Sequence, residues 1–485
     1  MNRPKFHFTP QENWINDPNG PVYMDGEYHL FYQHYPEDIV WGPMHWGHAV
    51  SQDLLTWEHK EIALYPDELG YIFSGSCFYD KENVSGFGTP DHPPLLAFFT
   101  HHDPENGRQQ QSIAYSLDKE HFTKYAGNPV IPNKENEKKD FRDPKVFPNP
   151  YKGGYTMAVA AGRQIEFYHS DNLLNWKYTG SFEPGACENG YSGICECPDC
   201  FPMETEEGTK WVLLVSMCLS EEEVQTAVKE GRYASAHMMQ YYIGEFDGDT
   251  FIDTTRAGEP LLFEYGPDNY AAVTFAGTED RILLGWGENW NYVKELPPVR
   301  EYIYEKETPA AGIQDKNDAQ CREYRGKMTL ARKLALVNTR FGYRLKSEPV
   351  GRKECKSSRH IEYGRECEIV FSNNYGNEFR ISIQPEQIIV DRSKCGVYEA
   401  VLREENDDML NSDSISNDLN PLNSPKALQM KEKHYDILCS PRYMPEGSSV
   451  DIIYDEGYFE IFAEDGLAVF SVMTYPRENL KEQDH

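Results

Sequence analysis

Apolar and polar positions alternate over short stretches through most of the chain, and few windows carry the three-and-four spacing of an amphipathic helix. The segments EYHLFYQ, PLLAFFTHH, YTMAVAAG, KWVLLVSM and RILLGWG are rich in Val, Ile, Leu, Tyr and Phe. Gly, Pro, Asn and Asp punctuate the chain between such segments, as expected of strands closed by turns. One polar stretch, SEEEVQTAVKEGRYAS, instead predicts a short helical insertion.

Between the strands a second element returns. SQDLLTWEHK, SLDKEHFTKY, SDNLLNWKYTG and FDGDTFID place aromatic residues at Trp57, Phe122, Trp176 and Phe251, spaced by 65, 54 and 75 residues. Long self-similar periods with several strands per repeat are the signature of a β-propeller, and about five units of roughly sixty residues fit the first 300 positions. A β-sandwich with coincidental aromatic turns is the alternative. The polar segment from NYVKELPPVR to RGKMTLARKL reads as a connection, after which YRLKSEP, CEIVFS, FRISIQ and QIIVDR predict a sandwich. The expected fold is therefore all-β: a five-bladed β-propeller over residues 1–305, a connection over 306–340 and a C-terminal β-sandwich over 341–485. Within the last unit, the polar segment 403–432 is expected to be a mobile loop.

Composition narrows the partners. A length of 485 residues suits two domains. A net charge of −32 repels nucleic acid and anionic lipid, so neither a nucleic-acid nor a membrane partner is expected. The opening MNRPKFHFTP has no apolar core of a signal peptide, and no window offers eighteen consecutive apolar residues. Eleven cysteines, an odd number without framework spacing, fit a reducing compartment, and the expected location is cytoplasmic.

Candidate chemistry begins with the run Asn16–Asp17–Pro18–Asn19–Gly20, which by composition is a tight turn. Asp17, the Arg142–Asp143 pair of DFRDPKVF and Glu196 of CECPDCF all precede strand-like runs. In a propeller the first strand of each blade lines the central axis, so acids at equivalent ends of these strands converge on one funnel. Paired carboxylates in one pocket are the equipment of glycoside hydrolysis, with one at the anomeric carbon and one protonating the leaving oxygen. A calcium site is the alternative, but Trp14, Trp41, Trp46 and Trp57 nearby in sequence offer the faces that sugar rings stack on. Cys195, Cys197 and Cys200 invite a zinc reading, yet no paired Cys or His motif supplies a fourth ligand; buried thiols acting as small apolar groups are expected. His45 and His48 are expected to pack, and His101 and His102 to end a strand near the funnel rim.

NWINDPNG, WGPMHWGHAVSQDLLTWEHKEIALYPD, FSGS, FRDPKVF, ECPD, YGPDNYAAVTF, GWGENW and RGKMTLARKL, in this order, resemble the invertase or β-fructosidase family, glycoside hydrolase family 32. The resemblance implies a five-bladed propeller joined to a sandwich, and release of terminal β-fructofuranosyl units from sucrose or short β-fructosides with retained configuration. Hydrolysis of sucrose 6-phosphate or exo-cleavage of fructans are the nearest alternatives, and a non-catalytic fructan-binding propeller is the alternative of another class. By motif position Asp17 is the expected nucleophile and Glu196 the acid and then base, while Asp143 holds fructose hydroxyls and supports ring charge with Arg142 beside it. Asn16, Gln33, Trp41, Phe73 and Ser74 are expected to line the fructose pocket, with Asp268 and Trp290 as further binding residues. No metal or organic cofactor is implied, and the oligomeric state is left open. The segments 218–239 and 301–322 depart from the family pattern on the leaving-group side and in the connection.

Overall fold

Two kinds of strand recur in the computed structural model, which describes residues 2–186, 191–229, 235–255, 261–304, 319–395, 436–476 and 478–483. Strands such as Leu95–His102 are buried along nearly their whole length, whereas Glu378–Ile383 is buried at every second residue. The first kind belongs to sheets covered on both faces, the second to a sheet with one wet face.

Among the described residues the chain is all-β apart from one α-helix, Glu221–Lys229, and short 3₁₀ turns. Five sheets come first. Their innermost strands are Asn13–Met24, Tyr71–Tyr79, Phe141–Pro148, Ile194–Thr205 and Tyr270–Thr274, each followed outward by antiparallel partners. Each innermost strand touches the next, and the fifth returns to the first, so the five strands form a cycle. The first sheet is extended by Ala319–Arg325, whose end runs parallel to Asn13 and Trp14 and links the two ends of this region.

The four aromatic repeats are one recurring turn at the outer side of the first four sheets. Asp53, Asp118, Asn172 and Asp247 each accept backbone N–H bonds from the residues two and three positions on, at 2.7–3.1 Å. The residue after each (Leu54, Lys119, Leu173 and Gly248) has positive φ, the backbone such an Asx turn requires. Among the described residues the fifth sheet shows no such Asx turn. Its outer strands, Arg332–Thr339 and Gly342–Pro349, are drawn from beyond the connection and joined by Thr339 to Gly342.

The sequence division differs here. Gly342–Pro349, expected to open the sandwich, is hydrogen-bonded into the fifth sheet, and Ala319–Arg325, expected in the connection, completes the first. Both are ordinary alternating strands whose partners lie far back in the chain, so nothing local in the sequence marks which sheet they join. Residues 305–318 of the connection and the expected loop 403–432 lie outside the described residues. The helical insertion is present: Ser220 and Glu223 bond reciprocally, Glu223 N–H to Ser220 Oγ at 3.3 Å and Ser220 N–H to Glu223 Oε2 at 2.7 Å. This capping box fixes its start.

The remaining strands form a four-stranded and a five-stranded sheet enclosing a second core that includes Ile381, Val390, Ile452, Phe459, Ile461 and Phe470. The two regions meet through buried ions. Arg332 of the fifth sheet donates to Glu264, to Glu460 Oε1 at 2.5 Å and to Ser471 Oγ at 2.8 Å. His7 lies between Asp455 and Glu460, each at 2.9 Å.

Candidate active site

All five innermost strands break register at one end. The shifts fall between Ile15 and Pro18, Phe73 and Gly75, Arg142 and Lys145, Glu196 and Asp199, and Tyr270 and Val273. Asp143, Cys197 and Ala271 have positive φ within these irregularities. Bulges re-aim side chains. Here they bring Asp17, Ser74, Asp143, Glu196 and Tyr270, from five sheets, to one open cavity of about 260 Å³.

Ser74 donates from Oγ to Asp17 Oδ2 at 2.7 Å, and Asn16 Nδ2 donates to Oδ1 at 3.1 Å. Asn16 is itself fixed by the Trp14 indole N–H at 2.8 Å. Asp143 Oδ2 accepts the Cys197 backbone N–H at 2.9 Å. Glu196 is held from two sides: Arg142 Nη2 donates to Oε1 at 2.9 Å, and the Tyr270 hydroxyl to Oε2 at 2.5 Å. Arg142 also donates to Asp140 at 2.8 Å and to Gln109 at 3.1 Å.

These surroundings set the proton affinities. Burial drives Asp143 up, Arg142 opposes it, and the neighbouring Asp17 and Glu196 carboxylates add to the rise, leaving it at about 7. Asp17 is raised by burial and the Glu196 charge, against its hydrogen bonds from Ser74 and Asn16. Burial also pushes Glu196 up, but the Arg142 charge and the bonds from Tyr270 and Arg142 outweigh it, so Glu196 lies below the usual range. Burial keeps the Tyr270 phenol protonated and donating.

Of the other expected residues, Gln33, Trp41, Phe73 and Trp290 line the same cavity. Gln33 is locked by bonds to Asn19 Oδ1 at 2.7 Å and to the Ile72 carbonyl at 2.9 Å. Trp41 meets the edge of Phe73, and Phe73 stacks on His102 with ring centres 4.3 Å apart. Asp268 is elsewhere. It is fully buried, accepting from Arg392 Nη1 at 2.7 Å, from the Met473 N–H at 2.7 Å and from the Tyr292 hydroxyl. It joins the fifth sheet to the second core, and Tyr270, two positions on in the same motif, takes the pocket position instead. Gln109 and Tyr270 line the cavity without having been singled out; only Tyr270 lay in a recognisable motif.

The three neighbouring cysteines separate. Cys195 and Cys200 pack in one apolar core and Cys197 in another, because the bulge after Glu196 breaks strand alternation. Cys197 is more than an apolar filler: its Sγ lies 3.5 Å from Asp143 Oδ2 and 3.7 Å from Asp17 Oδ2. His101, expected at the rim, is buried against Ser112 Oγ at 2.7 Å, while His102 stacks on the pocket-lining Phe73 without itself lining the cavity.

An all-β chain that gathers three carboxylates and a guanidinium in one pocket beside aromatic faces has the design of a carbohydrate-active protein. Comparison with known proteins gives the family: residues 7–349 match the glycosyl hydrolases family 32 N-terminal domain, and the chain belongs to that family. It is 48% identical to a levanase of Bacillus subtilis (strain 168) over 303 residues, 61% of this chain and 42% of the relative. To an extracellular exo-inulinase of Aspergillus awamori it is 39% identical over 328 residues, 61% of this chain and 59% of the relative. The chain thus spans about half the length of these relatives. The crystal structure of exo-inulinase from Aspergillus awamori aligns with a TM-score of 0.75 and 27% identity, covering 98% of this chain and 93% of that one.

Proposed function

We propose that the chain is a retaining β-fructofuranosidase that removes one terminal β-D-fructofuranosyl unit at a time from sucrose and short β-fructosides. The observation that carries this reading is the convergence of Asp17, Asp143 and Glu196, with only Glu196 held by a cation and a phenol. Two carboxylates with separate partners are what a double displacement needs, the nucleophile and the acid standing about 5–5.5 Å apart in such enzymes.

In the proposed reaction Asp17, aligned by Ser74 and Asn16, attacks the anomeric carbon of the fructosyl ring. Glu196 gives its proton to the departing oxygen, and the C–O bond breaks with its electrons going to the leaving group. Asp143 accepts hydrogen bonds from ring hydroxyls and steadies the positive charge of the oxocarbenium-like state. Glu196 then takes a proton from water as that water releases fructose from Asp17. In the free pocket the group near pH 7 is Asp143. Hydroxyl donors on the bound sugar favour its anion, and in that complex Glu196 is the group that must hold the proton for turnover.

We read the cycle of five sheets as a five-bladed propeller and the last two sheets as a sandwich, with the division after Pro349, where both the fifth sheet and the family match end. A cytoplasmic location remains our proposal, supported by nine described cysteines that form no disulfide. A second reading, exo-hydrolysis of levan or inulin, is favoured by the levanase and exo-inulinase relatives. Sucrose 6-phosphate has less support: among the described lining residues the cation is Arg142, already engaged by Asp140, Gln109 and Glu196.

Fructose release from sucrose, sucrose 6-phosphate, kestose, inulin and levan, measured under equal conditions, tests the assignment. Proton NMR of the first product gives the stereochemistry. The proposal expects β-fructofuranose first, with sucrose or kestose among the good substrates. Inversion at the anomeric carbon, or no fructose from any of the five, contradicts it.

A further inference from the structure

Asp140 is bonded to the pocket-lining Arg142 at the guanidinium nitrogen opposite the one that holds Glu196. Its carboxylate accepts from Arg142 Nη1 at 2.8 Å while Nη2 of the same guanidinium donates to Glu196 at 2.9 Å. One cation is shared by two carboxylates of unequal exposure: the Asp140 side chain is 38% exposed and that of Glu196 21%. Asp140 is built into position. It has φ of 49°, its carbonyl accepts the Gly162 N–H at 3.1 Å, and it immediately precedes the strand carrying Arg142 and Asp143.

We propose that Asp140 is a positioning residue that divides the Arg142 charge and thereby keeps Glu196 able to carry the proton it donates. The inference rests on the reading of Glu196 as acid and base. Arg142 contributes most to lowering the proton affinity of Glu196, ahead of Tyr270 and His237, and a general acid so placed needs that pull limited. An anion on the opposite end of the guanidinium limits it in two ways. It draws part of the hydrogen bonding of Arg142, and its own charge disfavours the Glu196 anion.

The other groups around this pair do not supply the same balance. Asp17 and Asp143 face it from the first and third sheets but are reserved for the sugar. His102, from the second sheet, lies below its ordinary value because of burial and the Arg142 charge, and so is neutral. From the fourth sheet, burial raises the Cys195 and Cys218 thiols and lowers His237, leaving them uncharged near neutral pH. Tyr270, from the fifth, is a protonated phenol. Among these described groups, Asp140 is the carboxylate, besides Glu196, that is bonded to Arg142.

The test is the pH profile of kcat, which reports the substrate complex, for the wild type, Asp140→Asn and Asp140→Glu, on whichever β-fructoside the wild type cleaves fastest, with Glu196→Ala beside them. Asn tolerates positive φ as Asp does, so the first variant changes charge while keeping the backbone. Without the Asp140 charge the Glu196 anion is favoured, its proton is lost earlier, and the alkaline limb should move to lower pH by about half a unit, the size of a half-exposed charge effect. Asp140→Glu should restore the wild-type limb. An unmoved limb overturns the inference, and so does a shift to higher pH, which would mean that Asp140 merely anchors Arg142 and that Glu196 is freed when it goes. A wild type without fructose release, or a Glu196→Ala variant with full activity, overturns the functional reading and this inference with it.

Discussion

Asp143 is the most enclosed of the three pocket acids, its proton affinity is raised by burial to about 7 against the Arg142 charge, and the hydrogen bond its carboxylate accepts comes from a backbone N–H rather than a cation. Charge support is realised mainly in the transition state. Asp143→Asn should therefore lower kcat far more than it raises KM, by on the order of a hundredfold, the scale of losing one preorganised electrostatic group. Steady-state kinetics on sucrose or kestose check this, and a change confined to KM would reduce Asp143 to ordinary binding. The three acids were legible because each sits in a short motif with its own turn residues. Asp268 misled because a buried ion pair and a pocket acid look alike in sequence, and only the position of Arg392, more than a hundred residues on, distinguishes them. Strand alternation pairs Cys197 with Cys195 as an apolar thiol, and the bulge that turns it toward Asp143 and Asp17 leaves no sequence mark.

Strands and turns were largely readable, and the repeat of aromatic turns proved to be a repeated hydrogen-bonding device. Asp118 accepts the N–H groups of Glu120 and His121 at 3.0 and 2.8 Å, so its role is visible from the turn chemistry alone. Asp118→Ala should cost about 1 kcal/mol, the net worth of a lost turn hydrogen bond, and leave kcat unchanged. Urea unfolding followed by fluorescence measures the first and a fructose assay the second; an unaffected midpoint would mean that Lys119 holds its positive φ without the turn. The register shifts at the pocket were not readable, because a bulge is defined by what two strands fail to align. Nor was the fifth sheet, half of whose strands arrive after a stretch that resembles a linker.

Across the whole molecule, buried ions join the sheet cycle to the last two sheets, and His7 is the one that titrates in an accessible range. Burial alone would lower its pKa, but the hydrogen bonds and charges of Asp455 and Glu460 outweigh it and raise it from 6.5 to about 9. A folded value above the unfolded one gives stability that is fully present below about pH 6.5 and is lost as pH rises through about 9. The thermal midpoint should accordingly fall between these limits, and His7→Gln should flatten that fall; an unchanged slope in the variant would remove His7 from the account. The pocket and the interface lie on the same fifth sheet, so loosening here is expected to reach Tyr270. The central claim is nevertheless chemical: Asp17 carries the fructosyl group and Glu196 releases it. With Glu196→Ala and a nitrophenyl β-fructoside, whose good leaving group needs little protonation, the first step should proceed and the second should stall. Intact-mass and peptide mass spectrometry should then find one fructosyl group on the peptide bearing Asp17, discharged when azide is added. No adduct, or an adduct on any peptide without Asp17, contradicts the account.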